Sequence, residues 1–146
     1  MTAAGMTAEE IRIAGIVVRF LVEAEATAGT ATLFEFDVPA EGHEPPPHSH
    51  DSWEETIYGV RGTLAWIVDG VTTTVGAGEV LVIPRGVVHS FENSSGELAT
   101  QLAVITPGLL GPGYFRDLAA IFDAGGPPDL AAALDVMRRH GLTPAL

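Results

Sequence analysis

The sequence predicts an all-β fold, a small jelly-roll barrel of about six to eight antiparallel strands, ending in a C-terminal two-helix tail. Three observations carry that expectation. Short apolar runs rich in β-branched residues, separated by Gly, Pro and Asp-Gly turn signals, fill residues 11–106. Two segments among them bear histidines: GHEPPPHSHDSWEETIYGVRG at 42–62 and GEVLVIPRGVVHSFEN at 78–93. After Pro107-Gly108 the apolar spacing changes from the strand period to the helical one. At 146 residues the chain suits one domain's core. Residues 1–108 are expected to form the barrel, N-terminal strands included, and residues 109–146 a helical tail packed on its outside or across one mouth.

Taken in order, Met1 to Glu10 read as a loose start. Thr7-Ala8-Glu9-Glu10 matches a capping box, but no helical run follows it, so the match is chance. Residues 11–24 (IRIAGIVVRFLVEA) favour strand, Ala28-Gly29 turns the chain, and 30–38 form a second strand with Phe34 and Phe36 on one face. Residues 39–47 are a Pro/Gly loop, and its triple proline, Pro45 to Pro47, is stiff and extended. Residues 56–68 read as a long strand kinked at Gly62, and Asp69-Gly70 predicts a type I′ hairpin into Val71 to Val75. Strands follow over 79–83, 88–93 and 98–106. Tyr114 to Phe122 is a helix, Gly125-Gly126-Pro127-Pro128 breaks it, and Asp129 caps a second helix running to Arg139. Leu130, Ala133, Leu134 and Met137 would form its apolar stripe, with Arg138, Arg139, His140 and Gly141 closing its C-terminus.

Composition excludes several functions. The net charge of −12, with seven arginines and no lysine, lacks the basic face that nucleic acid or an anionic membrane requires. Without lysine there is no Schiff-base or pyridoxal-phosphate chemistry, and without cysteine no disulfide, thiolate ligand or thiol nucleophile. No apolar run is long enough to span a membrane, and the N-terminus lacks the pattern of a signal peptide, so a cytoplasmic location is the default expectation. Gly-x-Ser-x-Gly, phosphate-loop and dinucleotide signatures are absent.

The chemistry-bearing residues are His48, His50, Glu55 and His89. On an extended strand His48 and His50 point to the same face, while the odd step to Glu55 requires a bend, for which Asp51-Ser52-Trp53 is suited. Burying three imidazoles and a carboxylate together without a cation would be costly. Nitrogen and oxygen donors suit one divalent transition metal, with Fe, Mn, Ni, Co, Cu and Zn all admitted. Four protein ligands leave positions open on an octahedral ion, the mark of catalysis or ligand binding. His43 reads as a solvated loop histidine and His140 as a helix-end residue. A substrate anion would meet Arg61, Arg85 or the metal. Trp53, Trp66, Tyr58, Phe91 and Phe115 are the expected aromatic lining. Gly59, expected to face inward, either leaves room beside the metal for a bulky planar substrate or marks a bulge.

Gly42, His48, His50, Glu55 and Gly62, with Gly78, Pro84, Gly86, His89 and Asn93, stand at every defining position of the two motifs of the cupin superfamily. The chain therefore resembles a cupin, a double-stranded β-helix (jelly-roll) barrel. Its layout is similar to bacterial single-domain, quercetin-dioxygenase-like cupins. The resemblance implies His48, His50, Glu55 and His89 as metal ligands, Glu55 as a catalytic base, structural roles for Gly86 and Asn93, and a homodimer. It implies an oxygenase acting on a small aromatic or enolic molecule. A non-redox isomerase or lyase, or a non-catalytic small-molecule-binding cupin, are the alternatives.

Overall fold

The computed structural model describes residues 8–42 and 46–145; His43 and Pro45 lie outside the described residues. The elements run β1 (Glu9–Ile13), β2 (Ile16–Val22), a one-turn 3-10 helix (Ala24–Thr27), β3 (Thr32–Val38), β4 (His48–His50) and β5 (Glu54–Arg61). They continue with β6 (Leu64–Val68), β7 (Val71–Val75), β8 (Val80–Ile83), β9 (His89–Glu92) and β10 (Ala99–Thr106). The chain ends with α1 (Pro112–Phe122), α2 (Leu130–Arg139) and β11 (Leu142–Pro144). Two antiparallel sheets result, ordered β1-β2-β3-β10-β5-β8 and β11-β4-β9-β6-β7, which is the expected all-β jelly roll with two helices at its C-terminal end.

Strict alternation builds the core. Along β3, Thr32, Phe34, Phe36 and Val38 are buried while the residues between them are half-buried. Their counterparts on the five-stranded sheet include Leu64, Trp66 and Phe91, and the Phe36 and Phe91 rings approach to 5.5 Å. One polar side chain, Gln101, is buried between the sheets with both ends of its amide satisfied. It accepts from Trp66 Nε1 at 2.9 Å and donates to the Val75 carbonyl at 2.8 Å, tying β10 to the opposite sheet.

Three features differ from the sequence expectation. The run 11–24 is a hairpin rather than one strand, turning at Ala14-Gly15, both with positive φ (49° and 88°). Gly15 suits that conformation but alanine rarely adopts it, and the apolar run continues on both sides without a polar break at the turn. The segment 56–68 is not one kinked strand: β5 and β6 belong to different sheets, with the crossing at Gly62. Finally, the chain beyond α2 re-enters the barrel, where β11 pairs with β4 in the register Leu142↔His50, Thr143↔Ser49 and Pro144↔His48.

Other local readings hold. Asp69 and Gly70 have φ of 51° and 77°, as the type I′ hairpin requires. The Asp129 side chain caps α2 by accepting from Ala132 N at 3.0 Å. The expected apolar stripe of α2 needs correction: Ala133 and Met137 are buried together with Val136, while Leu130 is exposed and Leu134 only half-buried. His140 ends the helix and bonds across to Asp117 of α1 at 2.8 Å. Among the described residues no helix is long and apolar enough to cross a membrane.

Candidate metal centre and its cavity

His48 and His50 come from β4 and His89 from β9, both in the five-stranded sheet, while Glu55 comes from β5 of the facing sheet. The Asp51 to Trp53 turn carries the chain from one sheet to the other, which is the physical content of the odd spacing between His50 and Glu55. Glu55 faces inward, whereas its neighbour Glu54 points outward and accepts from Arg85 Nε at 2.7 Å. Pairing holds the cluster in register: His48 lies opposite His89, and Glu55 opposite Ile83 and Ile105. Gly86 N–H donates to the His50 carbonyl at 2.9 Å, and Asn93 Nδ2 donates to the carbonyls of Val38, Pro39 and Glu97. These two motif residues are thus structural.

All four side chains are buried. Nε2 of His50 lies 3.2 Å from Glu55 Oε1 and Nε2 of His89 lies 3.6 Å from it. These three groups offer ligand atoms within 4.8 Å of one another. His48 stands beside the trio, its ring centroid 4.6 Å from that of His89.

The hydrogen bonds assign the tautomers. Nδ1 of His48, His50 and His89 faces the carbonyl of Pro46, Trp53 and Val87 at 3.1, 2.9 and 2.9 Å respectively. A carbonyl only accepts, so each Nδ1 carries the proton and each Nε2 presents a lone pair. Nε2 of His50 then confronts the Glu55 carboxylate with two acceptors 3.2 Å apart, an arrangement that needs a cation between them. His89 Nε2 is buried with no hydrogen-bond partner among the described residues. Three imidazole acceptors and one carboxylate, each imidazole oriented by a backbone carbonyl, form a donor set that fits a divalent transition metal.

Electrostatics agree with that tautomer pattern. Burial, helped by the proximity of His89, pushes the His48 pKa down to about 4. Burial likewise lowers that of His89, partly opposed by Glu55. For Glu55, burial works to raise the pKa, and the net lowering comes from its pairing with His50 and from charge on His89, His50 and His48, so it applies when a proton or cation sits among those rings. Neutral imidazoles and an ionised carboxylate are the states that bind a metal.

The cluster lies at the wall of a cavity of about 90 Å³. Of the aromatic residues expected to line it, Trp66, Phe91 and Phe115 do. Tyr58 is exposed on the outer face, and Trp53 is buried behind the site, its ring stacked on His50 at 4.8 Å and 19°. The expectation missed Phe34, Phe36 and Tyr114, and with them Leu110, Leu118 and Leu142. Strand periodicity carried a signal for the two phenylalanines; for the residues after Gly108 only the folded chain does. Arg61 and Arg85 do not line the cavity. Gly59 opens no space beside the metal site, because a Cβ there would stand 1.9 Å from the Gly76 carbonyl oxygen. Its place beside the register shift between Thr100 and Gln101 fits the bulge reading instead.

A family model for the cupin domain matches residues 34–106, half of the chain. The chain belongs to the cupin family. Among curated proteins this cupin is 39% identical over 89 residues to germin-like protein 1-3 of Oryza sativa subsp. japonica, covering 56% of the chain and 38% of the relative. It is 35% identical over 86 residues to germin-like protein subfamily 2 member 2 of Arabidopsis thaliana, covering 54% and 37%. It therefore spans well under half of these plant relatives' length. Among solved structures it is similar to a predicted oxalate decarboxylase of Thermotoga maritima, with TM-score 0.62, 25% identity, and coverage of 69% of this chain and 92% of that one. It is also similar to the polyketide cyclase RemF of Streptomyces resistomycificus, with TM-score 0.61, 25% identity, and coverage of 91% and 99%.

Proposed function

We propose that this cupin is a metal-dependent oxygenase of the quercetin-dioxygenase-like kind, acting on a small aromatic or enolic molecule. His48, His50, Glu55 and His89 would hold one divalent transition metal. The observation that carries the reading is the convergence of imidazole acceptors on the Glu55 carboxylate at the wall of an aromatic cavity. An ion there supplies Lewis acidity and, where redox-active, electron exchange with dioxygen.

The protein's own groups supply the rest. Apolar walls from Phe34, Phe36, Trp66 and Phe115 exclude water and receive a planar group. Among the described residues Glu55 is the only carboxylate lining the cavity, and it acts as the base that takes a proton from an enol or from carbon next to a carbonyl. Oxygen uptake measured with a flavonol and with pentane-2,4-dione, across Fe, Mn, Co, Ni and Cu forms, tests this. We expect uptake with at least one pair; none with any pair would remove the oxygenase reading.

A second, non-redox reading is favoured by the near full-length similarity to a polyketide cyclase. There Glu55 moves a proton on an enolic substrate and no oxygen is consumed, as in an isomerase or lyase. Under that reading the Zn form is active without oxygen. The assembly we propose is a homodimer. Exposed Tyr58, Val80 and Val82 on the outer face of the six-stranded sheet support it as surface a second copy would cover. Light scattering at known concentration checks it.

A further inference from the structure

The cavity beside Glu55 is too small for a multi-ring substrate. At roughly 10–15 Å³ per water, its volume of about 90 Å³ holds only a handful of solvent-sized groups. A second, larger space adjoins it, a cleft of about 500 Å³. Ile13, Ile16 and Phe91 line both spaces, so these three side chains are the partition between them. Each is buried yet keeps 5 to 7% of its surface accessible.

The described backbone beside this partition is sparsely paired. β4 meets β9 through the single pair His48↔His89. Further along β9, Asn93 N–H donates to the Gly42 carbonyl. Between those two points Ser90, Phe91 and Glu92 border the cleft, with Pro46 and Pro47 also on its wall. Proline has no N–H to extend a ladder, so Pro46 and Pro47 donate no bond to β9 here. Ile67, Phe122 and Leu130 complete an apolar surround. Among the described residues no arginine lines either space, and Glu92 is the one charged group in the cleft.

We propose that the substrate has two parts: an enolic head that enters the cavity at Glu55, and an uncharged apolar body that lies in the neighbouring cleft past Ile13, Ile16 and Phe91. This rests on the enolate reading above. Phosphorylated, sulfated or carboxylate-rich bodies are disfavoured by the same surfaces, because no described residue there compensates an anion. Leu130, half of whose surface is exposed (56%) on the first turn of α2, is then a specificity residue for the body and not for the head.

The test uses the Co(II)-loaded protein and two diketones with the same head, pentane-2,4-dione and dodecane-2,4-dione. Calorimetry reads affinity and the cobalt visible spectrum reads occupation of the metal site. We expect the same spectral change from both, with the long ligand binding at least about tenfold tighter. Leu130→Asp, which places an acid where a helix N-terminus tolerates it, should abolish most of that advantage and leave pentane-2,4-dione unchanged. Ile67→Asp serves as the second variant. Equal affinities for the two diketones, or an advantage that survives in both variants, overturns the cleft proposal while leaving the enolate reading intact. Failure of either diketone to perturb the cobalt spectrum removes the enolate reading, and this proposal with it.

Discussion

His50 and Glu55 belong to strands of opposite sheets, yet their Nε2 and Oε1 atoms stand 3.2 Å apart in the interior. Because His50 Nδ1 donates to the Trp53 carbonyl, the meeting is one of two acceptors. A buried pair of this kind is stable only with a cation or proton between its members.

Metal content follows from that geometry. Protein purified without chelator should carry near-stoichiometric transition metal by elemental analysis. His50→Ala and Glu55→Gln should each weaken binding by at least about tenfold, since each removes a ligand. Equal metal in parent and variants would mean the cluster is not the site.

Stability of the metal-free protein should fall with acid. His48 has its folded pKa lowered from 6.5 to about 4, so the unfolded chain binds the proton more readily. Its contribution is fully present above pH 6.5 and is lost as pH falls toward 4; that interval corresponds to about 3 kcal/mol. His89 is lowered in the same direction, and Glu55, lowered from 4.5, adds a further loss below that pH. Denaturant midpoints of the chelated protein between pH 7 and 4 measure this. A flat profile would contradict burial of neutral imidazoles.

The C-terminal return should support the site. Gly141 has φ of +89°, and a Cβ there would lie 3.1 Å from the Trp53 ring, which is stacked on His50. Gly141→Ala should cost about 2 kcal/mol of stability and weaken metal binding as Trp53 shifts. An unchanged melting temperature and metal affinity would show that β11 merely covers β4.

Gln101→Leu should be more damaging than its similar volume suggests. It leaves Trp66 Nε1 and the Val75 carbonyl without their partners, a loss of about 3 kcal/mol. Chemical denaturation checks it, and a cost below about 1 kcal/mol would indicate that water replaces the amide.

What was legible in the sequence was local. The parity of His48 and His50 and the turn residues Asp51 and Ser52 follow from strand geometry and spacing, while Glu55 was selected over its neighbour Glu54 by the motif resemblance. So do the Asp69-Gly70 hairpin and the Asp129 cap, each set by a side chain or φ preference within a few residues. The Ala14-Gly15 hairpin was hidden because strand-like residues (Ile11, Ile13, Ile16, Val17) continue on both sides with no polar residue at the turn. The sequence could not choose between open space and a bulge at Gly59, because the Gly76 carbonyl that decides it arrives from another turn.

By itself, then, the sequence determined the β-rich class, most of the strands and the two helices, and it offered His48, His50, Glu55 and His89 as donors, because those readings depend on neighbours along the chain. Only the tertiary structure decided which imidazole nitrogens face the carboxylate, that α1 and β11 wall the cavity, and that the space is small with a cleft beside it. Those properties come from contacts between residues far apart in sequence, such as Thr32 with the Leu110 carbonyl and Gly141 with Trp53, and no local pattern encodes the distance across which such pairs meet.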